Sequence, residues 1–219
     1  DLHLEPRLVQ SSARSSEPGN LKPPRDLVGP KSHPTWVALE DTLDSQGQLL
    51  IFVGTRKSAE SEALKLSKRV QKKLSKEDPE KLDLFASVVS SIEGGRQSAM
   101  ADKLIECLKG GTAFHHAGLT HSQRKIVEEA FKSGIISCLT ATPTLAAGVN
   151  LPARRVLVRD IKRWDDGMSR PLPVMEIRQM LGRAGRPKYD DFGEAWVLCK
   201  GTDGWEVADM VSEKYFFGE

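Results

Sequence analysis

At 219 residues, 39% hydrophobic and 28% charged, the chain has the composition of a soluble globular protein and room for one large domain with appendages. A formal net charge of +2 says almost nothing about partners, so any basic surface must be local. No apolar run is long enough to cross a bilayer, and "DLHLEPRLVQ" lacks the basic-then-apolar pattern of a secretory leader, so a cytoplasmic protein with no membrane partner is expected.

The first segment is unlike the rest. Half of the twelve prolines fall between Pro6 and Pro34, separated by serines and arginines. Such a stretch buries too little apolar surface to form a core. Residues 1–40 therefore read as a proline-rich linker or arm in extended and turn conformations. From Gln48 the pattern changes. "QLLIFVG" is a short apolar run closed by Gly54, as expected of a strand buried on both faces. Ala59, Ala63, Leu66 and Val70 then recur at helical spacing, with Lys65, Lys68, Lys72 and Lys73 around them. The segment "KEDPEKLDLFASVVSSIEGG" predicts one or two short helices, and Met100 to Leu108 a helix stopped by Gly110 and Gly111.

"TAFHHAGL" reads as a short strand running into a turn. Thr120 and Gln123 form a capping-box pattern for the helix that carries Ile126, Val127, Ala130 and Phe131 and stops at Gly134. "IISCLTAT" and "VLVRDI" are strands, "VMEIRQMLGRAG" is helical, "EAWVLC" is a strand and "WEVADMVSEKYF" is a last helix. Strands alternating with helices predict an α/β fold, a parallel sheet with helices on both faces. Ligands of such sheets bind at the carboxyl ends of the strands, so the loops after Val53, Phe114, Thr140 and Val158 form the expected functional rim. Cys107, Cys138 and Cys199 each lie in an apolar stretch, without a second Cys or His at ligand spacing; they read as buried free thiols, and no metal site is expected.

Three stretches carry chemistry. In "MLGRAGRP", Arg183 and Arg186 stand three residues apart among glycines and alanine. On a helix that spacing points both guanidinium groups the same way, towards an anion approaching over small neighbours. Surface salt bridges at a glycine-broken helix end are the alternative. No GxxxxGK[ST] phosphate loop and no acidic cluster placed for magnesium accompany them, so the chain alone lacks the parts that bind a triphosphate and its metal. In "VLVRDIKRWDDGMSRPLPV", Asp166-Gly167 is a hairpin turn signal between two extended runs. Pro171 and Pro173 suit an edge or projecting ribbon, with Lys162, Arg163 and Trp164 towards its tip. On the rim lie Thr55 and Arg56, His116 with Ala117 and Gly118, and Thr142 and Thr144. For a rim threonine a helix cap is the plainer role, and His115 or His116 could equally be core histidines. Arg154 and Arg155 either touch a polyanion or cover carboxylates and helix ends.

The order of these segments resembles the second RecA-like domain of superfamily 2 helicases. "QMLGRAGRP" is similar to their sixth motif, "TATPTLAAGVNLPARRV" to the fifth, and "LLIFVGTRKSAE" and "FHHAGL" to the segments before it. The wording is closest to the superkiller-like group and its archaeal Holliday-junction-migration helicases (Hjm). The resemblance runs roughly from Gln48 to Lys200, with "EKYFFGE" similar to the entry into a winged-helix domain.

It implies a RecA-like domain over 41–203, with 204–219 leading onward. It also implies a first RecA-like domain of the same chain that holds ATP and Mg2+, because two such domains face each other across one nucleotide in that family. Arg186 would be the arginine finger, Arg183 a second contact to the terminal phosphate and Gln179 a tie to the nucleotide. Gly148 and Asn150 would lie beside ribose and phosphates; glycine suits a closely approached backbone. Thr55, Arg56, His116, Thr142 and Thr144 would touch single-stranded DNA. The hairpin would be a strand-separating pin, with Lys162, Arg163 and Trp164 at the unpaired strand. The resembled enzymes move 3′ to 5′ at stalled forks and branched DNA, which implies a monomeric, nucleoid-associated motor that this chain cannot run alone. An RNA helicase of the same superfamily, or a non-catalytic nucleic-acid-binding module, is the alternative.

Overall fold

A computed structural model describes residues 2–4, 25–30, 32–73, 78–92, 98–165, 168–186, 190 and 192–199. The elements are β1 (Leu2–Leu4), β2 (Arg25–Leu27), α1 (Pro34–Asp44), β3 (Leu49–Phe52), α2 (Arg56–Val70), α3 (Asp78–Ile92), α4 (Ala99–Lys109), β4 (Thr112–His115), α5 (His121–Lys132), β5 (Cys138–Ala141), α6 (Thr144–Gly148), β6 (Arg155–Val158), β7 (Lys162–Asp165), β8 (Met168–Pro171), α7 (Val174–Leu181) and β9 (Glu194–Val197).

Five strands form one sheet in the order β4-β5-β3-β6-β9, and every pairing is parallel. The α/β expectation holds. Strands β3 to β6 are buried throughout, which is why they read as continuous apolar runs rather than alternating ones. The chain leaves β3 towards β4 but leaves β5 towards β6, on the other side of β3. The crevice of the fold therefore opens beside the carboxyl end of β3.

Side chains identify the two faces. Thr112 and Thr140 point to one face, where their hydroxyls donate to the Ala63 and Ala59 carbonyls of α2 at 3.0 and 2.7 Å. His115 points to the other, with Nε2 3.1 Å from Glu128 of α5. Right-handed crossovers put α6 and α7 on the α5 side, so helices cover both faces as expected. The predicted apolar stripe of α2 is buried, and Thr120 and Gln123 close the expected capping box. The segment expected as one or two short helices contains the single helix α3.

The proline-rich stretch is the main correction. Residues 1–40 were expected as a linker, yet a packed helix begins at Pro34 and buries Val37, Ala38, Leu39 and Thr42. Proline at the first helical position costs no hydrogen bond, so proline density there does not oppose a helix. Further back, β1 and β2 pair antiparallel. A second correction concerns "VMEIRQMLGRAG". The helix stops at Leu181, where the Gly182 N–H closes the last turn onto Arg178 at 2.8 Å. The last helix expected over 205–216 and the turn Asp166-Gly167 lie outside the described residues. Strands β7 and β8 do pair antiparallel, from Lys162 opposite Pro171 to Asp165 opposite Met168, and β8 is exposed along its length. The projecting hairpin is present. Among the described residues no helix is long and apolar enough to cross a membrane.

Candidate functional site

Arg183 and Arg186 lie beyond α7, so they do not share a helical face as their spacing suggested. Ala184 forms a parallel bridge with Ala153, using Ala153 N–H to Arg183 C=O at 3.0 Å and Gly185 N–H to Ala153 C=O at 2.7 Å. Gly185 has φ +92°, the left-handed region that favours glycine, and it crosses Gly193 so closely that a Cβ on Gly193 would meet the Gly185 nitrogen at 2.1 Å. This crossing explains the small residues between the arginines. They accommodate the chain's own backbone, and the two side chains diverge on either side.

Arg183 turns towards the fifth-motif segment. Its Nη1 donates to Asn150 Oδ1 at 3.0 Å, and Nη2 donates to the Ala146 carbonyl in α6. Three residues expected at one nucleotide, Arg183, Asn150 and Gly148, are thus drawn together around α6. Gly148 is exposed, and a Cβ there would meet nothing within 4 Å, so no neighbour among the described residues requires glycine. Gln179 is exposed on α7, one turn before Arg183.

Arg186 turns the other way. Its Nε and Nη2 donate to the two oxygens of Asp190, both at 2.9 Å, a bidentate fork. Its Nη1 donates to Gln48 Oε1 at 3.0 Å. Hydrogen bonds from Arg186 hold the Asp190 carboxyl below the usual carboxylate range, against partial burial that works the other way. Gln48 immediately precedes β3, so this arginine sits at the amino end of the sheet. The rim residues follow the strands at the carboxyl end. A strand rises about 3.3 Å per residue, so Gln48 and Thr55 stand roughly 20 Å apart along β3. Topology places the expected functional rim at the carboxyl end, whereas Arg186 stands at the opposite end.

On the rim, Thr55 is the N-cap of α2 and accepts from Ser58 N–H at 3.1 Å; Arg56 opens that helix, exposed. Thr142 Oγ1 lies 2.9 Å from Thr144 Oγ1 at the start of α6; Thr144 is exposed and Thr142 buried. His116 corrects an expectation. Its ring is 1% exposed and stacks on Phe114, so the side chain is not on the rim surface. Nδ1 accepts from Gly118 N–H at 3.1 Å, which leaves the Nε2 proton facing Glu60 at 3.4 Å without a well-formed hydrogen bond. Burial pushes the pKa of both His115 and His116 below the ordinary value, against the pull of Glu128 and Glu60. His116 thus shapes the loop that presents Ala117.

The hairpin rises from this same rim. Asp160 Oδ2 accepts from Gly54 N–H at 2.9 Å, and Leu172 N–H donates to Ile161 C=O at 2.8 Å, fastening its base. Lys162 is exposed, while Arg163 is tied to Glu176 of α7 at 3.2 Å. The Trp164 side chain lies outside the described residues.

The open choice for Arg154 and Arg155 is decided for one of them. Arg155 is 2% exposed, paired with Asp41 at 2.8 Å and Glu194 at 2.5 Å, and lies 3.8 Å over the Trp196 ring; it covers carboxylates. Arg154 lies over the Phe192 ring at 4.0 Å. Sequence reading missed Gln48 and Asp190. Gln48, 138 residues from Arg186, carries no local signal, whereas Asp190 stands four residues beyond Arg186, a spacing that suits an ion pair.

Cys107 and Cys138 are buried free thiols as expected, Cys107 pushed up to about 12 by burial, and Cys199 is half-buried. Among the described residues no group of three or more His, Cys, Asp or Glu could hold a metal ion.

Comparison with known proteins gives the family. The model of the helicase conserved C-terminal domain matches residues 67–188. The chain is 47% identical over 164 residues to the ATP-dependent DNA helicase Hel308 of Methanocella arvoryzae, a match spanning 74% of this chain and 22% of that protein. It is 45% identical over 171 residues to the Hel308 of Pyrococcus horikoshii, spanning 78% of this chain and 22% of that protein. For the Hel308 of Thermoplasma acidophilum the identity is 42% over 172 residues, 78% of this chain and 23% of that protein. The matched region is thus under a quarter of the length of each of these relatives.

Proposed function

The chain belongs to the helicase conserved C-terminal domain family, and on that premise we propose that it is the second motor domain of an ATP-dependent DNA helicase. The enzyme would hydrolyse ATP between this domain and a first RecA-like domain of the same chain, which supplies the phosphate loop and holds Mg2+. It would move 3′ to 5′ along single-stranded DNA and act at forks and branched junctions. The similar relatives are DNA helicases, which favours DNA over RNA as the track.

The observation that carries this reading is the fastening of Arg183 to Asn150 and to the Ala146 carbonyl. It unites two distant motifs on one surface that has cations and no phosphate loop. A transferring phosphoryl group spreads charge over its oxygens, and an inserted arginine can be worth several orders of magnitude in rate. In this reading Arg186 is the hydrolytic arginine, Arg183 contacts the terminal phosphate, and Gln179, Gly148 and Asn150 face the nucleotide. Closure on ATP at the amino end of the sheet would move the carboxyl rim, with Thr55, Arg56, Thr142 and Thr144, along the strand. The hairpin beside that rim, with Lys162 exposed and Trp164 towards its tip, would part the duplex. A winged-helix domain would follow, and the motor would work as a nucleoid-associated monomer.

The test is the single-stranded-DNA-stimulated ATPase of the full-length enzyme, wild type against Arg186→Ala. Hydrolysis is expected to fall by about a hundredfold or more with DNA binding retained. Unchanged hydrolysis would overturn the role of Arg186.

A further inference from the structure

Arg186 does not hang free in its surroundings; it is held from two sides. The Asp190 carboxylate takes Nε and Nη2, and the same Asp190 Oδ2 accepts the Arg186 backbone N–H at 2.8 Å, while Asp190 N–H returns to the Arg186 carbonyl at 3.0 Å. Side chain and main chain of the two residues therefore close one unit between positions i and i+4. The other hold is Gln48. Its Nε2 donates to the main-chain carbonyls of Phe131 at 2.7 Å and Ile136 at 2.8 Å, which are parts of the α5-to-β5 connection. Those two bonds decide which way the amide lies, so Oε1 must face outward, where it accepts Arg186 Nη1. Gln48 is buried, and Asp190 is 5% exposed against 22% for Arg186.

A side chain with several rotatable bonds loses its rotamer freedom in such a clamp. That entropy is spent on folding rather than at the moment of reaction. The bidentate fork sets the plane of the guanidinium, and Gln48 sets its direction from the body of the sheet.

We infer that Asp190 and Gln48 are positioning residues for Arg186, holding its guanidinium in one orientation for the phosphoryl group, an inference that rests on the proposed role of Arg186 in ATP hydrolysis. Asp190 acts through Arg186 and touches no nucleotide. Its carboxylate, not merely its size, is required, because the fork needs two acceptor oxygens and an amide offers one.

The experiment is a double-mutant cycle in the full-length enzyme, with Asp190→Asn, Arg186→Ala and the combined variant. The readouts are kcat and KM for ATP in the presence of single-stranded DNA. Asp190→Asn is expected to lower kcat about 10- to 100-fold, the range expected when a reacting group is misplaced by an ångström or so, with KM for ATP within about twofold. In the Arg186→Ala background the same substitution is expected to change kcat by less than about twofold, because there is no guanidinium left to aim. Asp190→Glu, which keeps both oxygens, should recover part of the rate that Asp190→Asn loses.

If Asp190→Asn lowers kcat as much without Arg186 as with it, the residue is structural and the positioning role is overturned. If Asp190→Asn leaves kcat unchanged while Arg186→Ala abolishes it, positioning fails and the hydrolytic arginine stands. If Arg186→Ala itself leaves kcat unchanged, the underlying reading fails first, and the inference with it.

Discussion

At the scale of single residues, the most informative position is Gly148. The side chains near it, Asn150 and Arg183, are bonded to each other, yet the glycine faces open space. A glycine at the end of a short helix costs stability relative to alanine, by roughly 0.5–1 kcal/mol. The domain bears that cost with no packing reason among the described residues. Gly148→Ala should therefore leave the chain as stable or more stable in a urea titration, by up to about 1 kcal/mol. In the full-length enzyme the same change should raise KM for ATP, because the added methyl group meets the approaching nucleotide. A loss of stability without a change in KM would return the glycine to a structural role.

The arginines make a related point. Arg183 and Arg186 were legible as a pair from composition and spacing alone, but the small neighbours read as room for an anion accommodate the chain's own crossing at Gly193. Their geometry was not legible. Gly185 and the bridge from Ala184 to Ala153 bend the chain out of the helix. That bridge joins residues far apart in sequence, so local periodicity could not reveal it. The same holds for His116, which reads as a rim residue by position but is turned inward by packing on Phe114 and by Gly118 N–H.

At the scale of elements, Arg155 ties three pieces together. It starts β6, pairs with Asp41 in α1 and with Glu194 in β9, donates to Thr42 Oγ1 at 2.7 Å, and lies over Trp196 beside β6 in the sheet. Removing one partner of a buried ion pair strands the others, at a cost of about 3–5 kcal/mol. Arg155→Leu should lower unfolding free energy by that order in urea denaturation, with the loss concentrated in the docking of α1 and β9. A change below about 1 kcal/mol would mean that solvent already compensates Asp41 and Glu194.

This element-level bolt also explains why α1 was missed. Its apolar face is short, and it follows a stretch dense in proline. What makes it a helix of the domain is burial of Val37, Leu39 and Thr42 together with the reach of Arg155 to Asp41. The strands and the helices α2, α4 and α5 were easier. Four-residue buried runs, a capping box and a clean apolar stripe are local signals whose meaning does not depend on distant partners.

At the scale of the whole molecule, the proposed function uses two groups of residues set apart along one sheet. The arginines stand near the amino ends of β3 and β6, and the rim threonines and the hairpin stand at the carboxyl ends. A rigid parallel sheet between them transmits a displacement at one end to the other without internal rearrangement. This suits a motor in which closure on a nucleotide becomes movement along a strand. On the proposed function the chain would hold half of each site. Expressed alone, it should show no measurable ATPase and should bind single-stranded DNA weakly, with affinity falling steeply as salt rises. Robust hydrolysis by the isolated chain would overturn the two-domain account.

The sequence by itself determined the alternation of strands and helices, the parallel sheet, the projecting hairpin and the motif order that places the chain among helicase C-terminal domains. Each is read from local periodicity, from the order of the elements or from a fixed string of residue types. Only the tertiary structure decided that Arg183 joins Asn150 while Arg186 joins Asp190 and Gln48, that His116 is buried, that Arg155 is a core ion pair and that α1 belongs to the domain. Apart from Asp190, four residues beyond Arg186, and Gly118, two beyond His116, the partners involved are distant in sequence. A guanidinium, an imidazole or a carboxamide satisfies its hydrogen bonds with whatever the fold brings near, and spacing along the chain does not encode that partner.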